Sequence, residues 1–156
     1  MRATLLVLLL LGTPAAAGPF VYAGGQVDSA PAAGGVVGGG VLGPVSVIGE
    51  AGLFPSLRYA FLVASADLGR GFAVGGGGQY LWLPDGDYGG GQVDLSWHCA
   101  PVTLVLRQEF PSPLTAIRFI LAHDLGPRWF VRTHIDARFS PVSVGASFAG
   151  ALGARL

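Results

Sequence analysis

The chain has 156 residues, with nine basic residues, nine acidic residues and a single cysteine. This length allows one domain, the balanced charge excludes a strongly basic nucleic-acid-binding surface, and the lone cysteine excludes an internal disulfide framework. Charged residues make up only 12% of the chain, well below the usual ~25%, so the protein either packs a large core or faces lipid.

Residues 1–17 have the pattern of a secretory signal peptide. Arg2 precedes an apolar run over residues 5–11, and three alanines at 15–17 provide a small-residue cleavage site. The apolar run is well short of the ~20 residues that a spanning helix needs, so we favour cleavage after Ala17 over a retained anchor helix. The sequence therefore predicts export and one domain over residues 18–156.

The rest of the chain is divided by Pro, Gly, Asp and Ser into ten extended segments. Glycine is too frequent, at 26 residues, for a helical reading. We predict strands at 20–27, 34–43, 45–53, 57–67, 71–83, 88–98, 102–110, 114–123, 128–139 and 142–156. Segments of this length match the ~9–11 residues of a tilted strand that crosses a bilayer.

Within these segments apolar and polar side chains alternate. In residues 92–98, Val93, Leu95 and Trp97 share one face of the predicted strand and Asp94 lies on the other. We place Tyr59, Phe61 and Val63 on the apolar parity as well. The same separation recurs along the chain, and we predict that the apolar parity faces lipid and the charged parity faces a barrel lumen.

The sequence therefore predicts an all-β fold, an antiparallel up-and-down transmembrane β-barrel of about ten strands, with eight as the second choice. An even strand number places both termini on one side of the membrane, which we predict to be the periplasmic side. Charges in a narrow lumen must pair or meet water, because an unpaired buried ion costs several kcal/mol. We expect a lumen charge network of Glu50, Arg58, Asp94, Arg107, Glu109, Arg118, Arg132, His134, Asp136 and Arg138.

Glycines and tryptophans add two expectations. Inward glycines at 38, 40, 75, 77 and 145 would thin the filling of the lumen and leave a narrow water path. Trp82, Trp97 and Trp129 lie near segment ends, which is typical of rings at a membrane–water boundary.

With a signal peptide, alternating strands and aromatic strand ends, the chain resembles the small outer-membrane β-barrel proteins of bacteria that have eight to ten strands. Its last segment is similar to their C-terminal assembly signal, with Phe148, Leu152 and Leu156 on one parity. It departs from them in ending on Leu rather than Phe and in having short links. The resemblance implies an outer-membrane location, contact with the lipid bilayer and the assembly machinery, a monomer, and a structural or porin-like narrow-channel role.

Two other functions stay open at this stage. A secreted or periplasmic soluble β-barrel or sandwich could bind an apolar ligand, with its apolar parity turned inward. A membrane-lipid hydrolase could use His134 and Asp136 with Ser143 or Ser147, but no motif surrounds these residues, so we expect no enzyme. We expect no cofactor, no nucleic-acid partner and no metal site, since adjacent pairs such as His98 and Cys99 point to opposite faces of a strand.

Overall fold

Ten strands make up most of the part of the protein that the computed structural model describes, which is residues 18–28, 32–55, 58–84, 86–111, 114–141 and 143–156. The predicted signal peptide lies outside these residues. The strands are β1 (Gly18–Asp28), β2 (Ala32–Leu42), β3 (Val45–Leu53), β4 (Arg58–Gly69), β5 (Phe72–Leu83), β6 (Gly86–Cys99), β7 (Val102–Phe110), β8 (Thr115–Asp124), β9 (Trp129–Ser140) and β10 (Ser143–Arg155).

The strands form a closed antiparallel up-and-down barrel. Each strand pairs with its neighbours in the chain, and β1 pairs with β10 to close the barrel. The predicted fold class is therefore confirmed, with ten strands rather than eight. No helix among the described residues is long and apolar enough to cross a membrane.

Both ends of the described chain meet at one end of the barrel, which we call the terminal end. Here the backbone N–H of Leu156 donates to the Pro19 carbonyl over 3.0 Å. The links β2–β3, β4–β5, β6–β7 and β8–β9 also lie at this end, and the other links lie at the opposite end, the far end.

The barrel turns its apolar side chains outward. Val93 and Leu95 are 49% and 46% exposed, whereas Gln92 and Asp94, on the other face of β6, are 3% and 7% exposed. Large exposed hydrophobic side chains occur on all ten strands. The predicted direction of β6 is confirmed, and the inward-facing apolar parity that the soluble alternative required is wrong.

Strand β4 corrects one part of the prediction. Tyr59, Phe61 and Val63 face the interior and are buried, while Arg58 is exposed on the outer face. The reason is the register, because partners directly opposite share a face: Phe61 lies opposite the buried Glu50, and Arg58 lies opposite the exposed Leu53. Arg58 is thus not a lumen residue.

Two of the inward glycines, Gly40 and Gly77, lie against the backbone of a neighbouring strand. A Cβ atom on Gly77 would lie 1.9 Å from the Leu62 carbonyl oxygen, and one on Gly40 would lie 2.2 Å from the Val47 carbonyl oxygen. The room that a side chain would need is taken by the neighbouring strand's backbone, which lets the sheet curve tightly.

Two small apolar clusters inside the barrel flank its charged residues. One includes Phe20, Tyr22 and Phe130 from β1 and β9. The other includes Phe54, just after β3, with Phe61 on β4. The interior is therefore a mixture of rings and charges.

Candidate functional site in the barrel lumen

Glu50 on β3 accepts hydrogen bonds from three different strands. The Tyr22 hydroxyl donates to its Oε2 over 2.6 Å, and the Tyr59 hydroxyl donates to its Oε1 over 3.1 Å. Arg118 Nη2 lies 3.1 Å from the same Oε1, and the Glu50 side chain is fully buried. The alternating pattern of β1, β3, β4 and β8 is what directs these groups to one point.

Arg118 joins Glu50 to Asp136 on β9. Its Nε lies 2.6 Å from Asp136 Oδ1 and its Nη2 lies 2.8 Å from Oδ2, the bidentate geometry that a guanidinium forms with a carboxylate. Arg138 lies farther out, 3.8 Å from both Asp136 and Asp28. We call Tyr22, Glu50, Tyr59, Arg118 and Asp136 the central layer.

A second ion pair lies beside the central layer. Arg107 on β7 holds Asp94 on β6 with two contacts of 3.0 Å, from Nε and from Nη2. The Phe61 ring lies 4.6 Å below the Arg107 guanidinium carbon and 5.3 Å from that of Arg118. Because an aromatic face attracts a cation, this ring stabilises both guanidinium groups.

The structure places the other predicted lumen residues individually. Glu109 accepts a hydrogen bond from Gln79. Arg132 and His134 are buried on the inner face of β9. Arg58, as described above, lies outside. Of the ten predicted residues, nine face the interior, and Glu50, Arg118, Asp136 and Arg138 form one connected group, with Asp94 and Arg107 as a separate pair.

The sequence interpretation missed the two tyrosines and Gln26. Tyr22 and Gln26 share a parity in β1, and Tyr59 donates to Gln26 Oε1 over 2.8 Å. The alternation of β1 could have indicated the first two. Tyr59 could not be found in this way, because it lies on the parity of β4 that looked apolar.

The structure does not assemble a catalytic triad among its described residues. Ser147 Oγ and His134 Nε2 are buried without a hydrogen-bond partner, so the contact between a nucleophile and its base is missing. The Asp136 carboxylate is held by Arg118, and Ser143 is exposed and bonded to Ser140. The expectation that the chain is not an enzyme stays a prediction.

No group of three or more His, Cys, Asp and Glu side chains could hold a metal in the part of the chain that the structure describes. Cys99 is free and exposed at the end of β6.

A cavity of about 820 Å³ opens at the terminal end of the barrel. Apolar side chains from five strands line one side of it, and Arg132 lies deeper in the barrel, toward the central layer. We call this cavity the vestibule, defined by Phe20, Leu42, Ile48, Ile120, Phe130 and Arg132. Ser65, Ser96, His98 and Thr103, from β4, β6 and β7, line the opposite side, and Ser46 lies on β3 beside Ile48.

No known protein-family model matches the chain, and no curated protein matches it either.

Proposed function

We propose that this protein is an integral outer-membrane β-barrel whose lumen is closed at mid-height by side chains and which has a structural rather than conducting role. The observation that carries the proposal is the apolar outer face of all ten strands, combined with charges held inside. Soluble monomers rarely expose an apolar patch above ~300–600 Å². A closed barrel also leaves no strand edge unpaired, which lipid requires.

The positions of the tryptophans support a membrane location, because they lie at both ends of the apolar outer face. Trp82 lies near the far end, at the close of β5, and Trp97 and Trp129 lie near the terminal end. All three are exposed on the outer face. Rings at these two levels match the aromatic girdles of transmembrane barrels.

The central layer supports a structural role. The Glu50 side chain is fully buried and that of Arg118 is only 8% exposed, which supports a lumen closed to water at this level. Ion pairs and ring contacts in the middle of a narrow barrel hold its opposite walls together.

The proposal includes the route and the partners. The signal peptide would export the chain, and the assembly machinery would recognise β10, whose outward residues include Phe148 and Leu152, together with the exposed Leu156 that follows it. The barrel closes on itself, which favours a monomer with the bilayer as its main partner. No cofactor and no nucleic acid enters the proposal.

Cell fractionation tests the location. After expression in a bacterium with an outer membrane, we expect the protein to stay in the membrane pellet through washes with high salt and to be released by detergent. A periplasmic soluble β-protein with a signal peptide is the control. Recovery of the folded chain in the salt-washed soluble fraction would contradict the proposal.

Conductance in planar bilayers tests whether the lumen is closed to ions. We expect no resolved current steps from a preparation whose insertion is shown by co-flotation with lipid vesicles. A known porin, prepared in the same detergent, is the positive control. Regular current steps that scale with protein concentration would show a channel instead.

A further inference from the structure

We propose that the vestibule binds a compact organic carboxylate. Arg132 would pair with its carboxylate group, and the apolar wall would contact the rest of the ligand. This site is separate from the outer face and the central layer, so the inference goes beyond the proposed function. It requires only the folded barrel.

Arg132 is a buried cation with no carboxylate within ion-pair distance among the described residues. The residue is 9% exposed, its Nε has no hydrogen-bond partner, and no ion pair joins it to an acid among the described residues. Its guanidinium carbon lies 4.7 Å from the centroid of the Tyr22 ring, and its charge also interacts with that of Glu50 at a distance longer than an ion pair. Arg107 and Arg118, by contrast, each hold a carboxylate with two contacts. A buried charge without a partner costs several kcal/mol, which a bound anion would offset.

The nearby acids are already engaged. Glu50 is held by Arg118 and two tyrosines. At the rim, Asp124 pairs with Arg155, and Asp67 accepts from the backbone N–H of Gly69. Two histidines also line the cavity: His98 is bonded to Thr103 over 2.7 Å, and His123 is exposed near the end of β8. Arg132 is therefore the cation of the vestibule that is left for a ligand.

The apolar wall of the vestibule determines the shape of the hydrocarbon group that the ligand can carry. Phe20, Leu42, Ile48, Ile120 and Phe130 offer an apolar surface, and the volume of about 820 Å³ lies within the ~300–1,000 Å³ of small-molecule sites. Arg132 lies two residues below Phe130 on β9, ~7 Å along the strand. The apolar part of the cavity is thus short and broad, which suits an aromatic or alicyclic acid better than a long acyl chain.

Binding of a probe acid to the purified barrel tests the charge requirement. In nonionic detergent, we expect 2-naphthoate to bind in isothermal titration calorimetry and the neutral 2-naphthamide to bind about tenfold or more weakly, because only the acid pairs with the guanidinium. Equal affinities for the two compounds, or no binding of the acid, would overturn the proposal. Since the assay uses detergent, its outcome is independent of membrane location.

Two variants with matched controls test the position. Arg132→Gln should weaken naphthoate binding about tenfold or more, while Arg58→Gln, which removes an exposed Arg from the outer face, should leave it unchanged. Ala122 on β8 lies directly opposite Arg132 on β9 in the strand pairing. Ala122→Glu should therefore place a carboxylate on Arg132 and displace the ligand, and Ala122→Gln, with the same size and no charge, should weaken binding much less.

The Ala122 pair keeps the test decisive if Arg132→Gln fails to fold. Folding of each variant is checked by the change in gel mobility between unheated and boiled samples. Equal binding by the folded Ala122→Glu and Ala122→Gln variants would contradict a role for the Arg132 charge.

Discussion

At the scale of single residues, Glu50 is the acceptor on which the interior depends. It receives hydrogen bonds from Tyr22, Tyr59 and Arg118, and these donors come from β1, β4 and β8. Tyr59 comes from the adjacent strand, whereas Tyr22 and Arg118 come from strands that do not pair with β3. A single side chain thus fastens opposite walls of the barrel.

Replacing Glu50 tests this fastening. Glu50→Gln would point an amide N–H₂ group at donors and leave Arg118 with one carboxylate, so we expect the free energy of unfolding to fall by about 3 kcal/mol. The measurement is denaturant unfolding in detergent micelles, followed by tryptophan fluorescence. Asp87→Asn, at the exposed start of β6, is the control and should change stability by less than ~0.5 kcal/mol. An unchanged midpoint for Glu50→Gln would argue against the central layer.

At the scale of elements, the glycines of β5 show how the two faces of one strand differ. A Cβ on Gly77 would meet the Leu62 carbonyl oxygen at 1.9 Å and the Val63 Cα at 2.8 Å. A Cβ on Gly78, one residue on and on the outer face, would meet only the Gly90 carbonyl oxygen at 3.6 Å, an ordinary contact. The same residue type therefore has a packing role at one position and none at the next.

The two alanine substitutions separate these roles. We expect Gly77→Ala to destabilise the barrel by about 1–3 kcal/mol, because the strands must move apart. Gly78→Ala should be neutral or slightly stabilising, because alanine restricts the unfolded chain more than glycine does. Thermal shifts in gel mobility measure both. Equal losses in the two variants would contradict the close approach of β4 and β5.

The strand β4 also shows why part of the prediction was wrong. Arg58 is the only charged residue before Asp67 in this strand, so the parity was assigned from one residue at the strand's first position. A charge at a strand end can reach water from either face. The three inward residues Tyr59, Phe61 and Val63 meet rings and guanidinium groups rather than lipid.

At the scale of the whole molecule, the outer face should contact lipid over the full height between its tryptophans. Single-tryptophan variants that keep only Trp82 or only Trp129 report on the two ends of the barrel. In reconstituted vesicles, we expect both to be quenched more strongly by lipids brominated near the headgroup than by lipids brominated near the bilayer centre. Strong quenching by aqueous iodide without lipid quenching would contradict a membrane belt.

The free cysteine reports on orientation. Cys99 is exposed at the terminal end, which we propose faces the periplasm. A bulky hydrophilic maleimide should leave it unlabelled in intact cells and label it after the outer membrane is permeabilised. Asp87→Cys in a Cys99→Ser background, at the far end, should be labelled in intact cells. The reverse pattern would show the opposite orientation.

The alternation of polar and apolar residues predicted most of the residues in the candidate site, but it did not predict which of them contact one another. Asp94 and Arg107 were assigned to one face from the pattern, yet their pairing depends on the β6–β7 register, which places them directly opposite each other. The link from Arg118 to Glu50 spans the barrel between strands that are not neighbours. Such contacts depend on how the closed sheet curves, and a local pattern carries no information about that.

The sequence by itself indicated the strands, favoured ten of them over eight and indicated most of the two-sided pattern, because a period of two and the turn residues are local properties of the chain. Only the tertiary structure decided which parity faces inward, since alternation is identical for a barrel and for its inside-out counterpart. It also showed that the predicted inner and outer faces of β4 are exchanged and which buried charges form pairs. Among the described residues, it placed no acid within ion-pair distance of Arg132 beside the vestibule. These features arise from closure and register, which bring together residues that are distant in the chain.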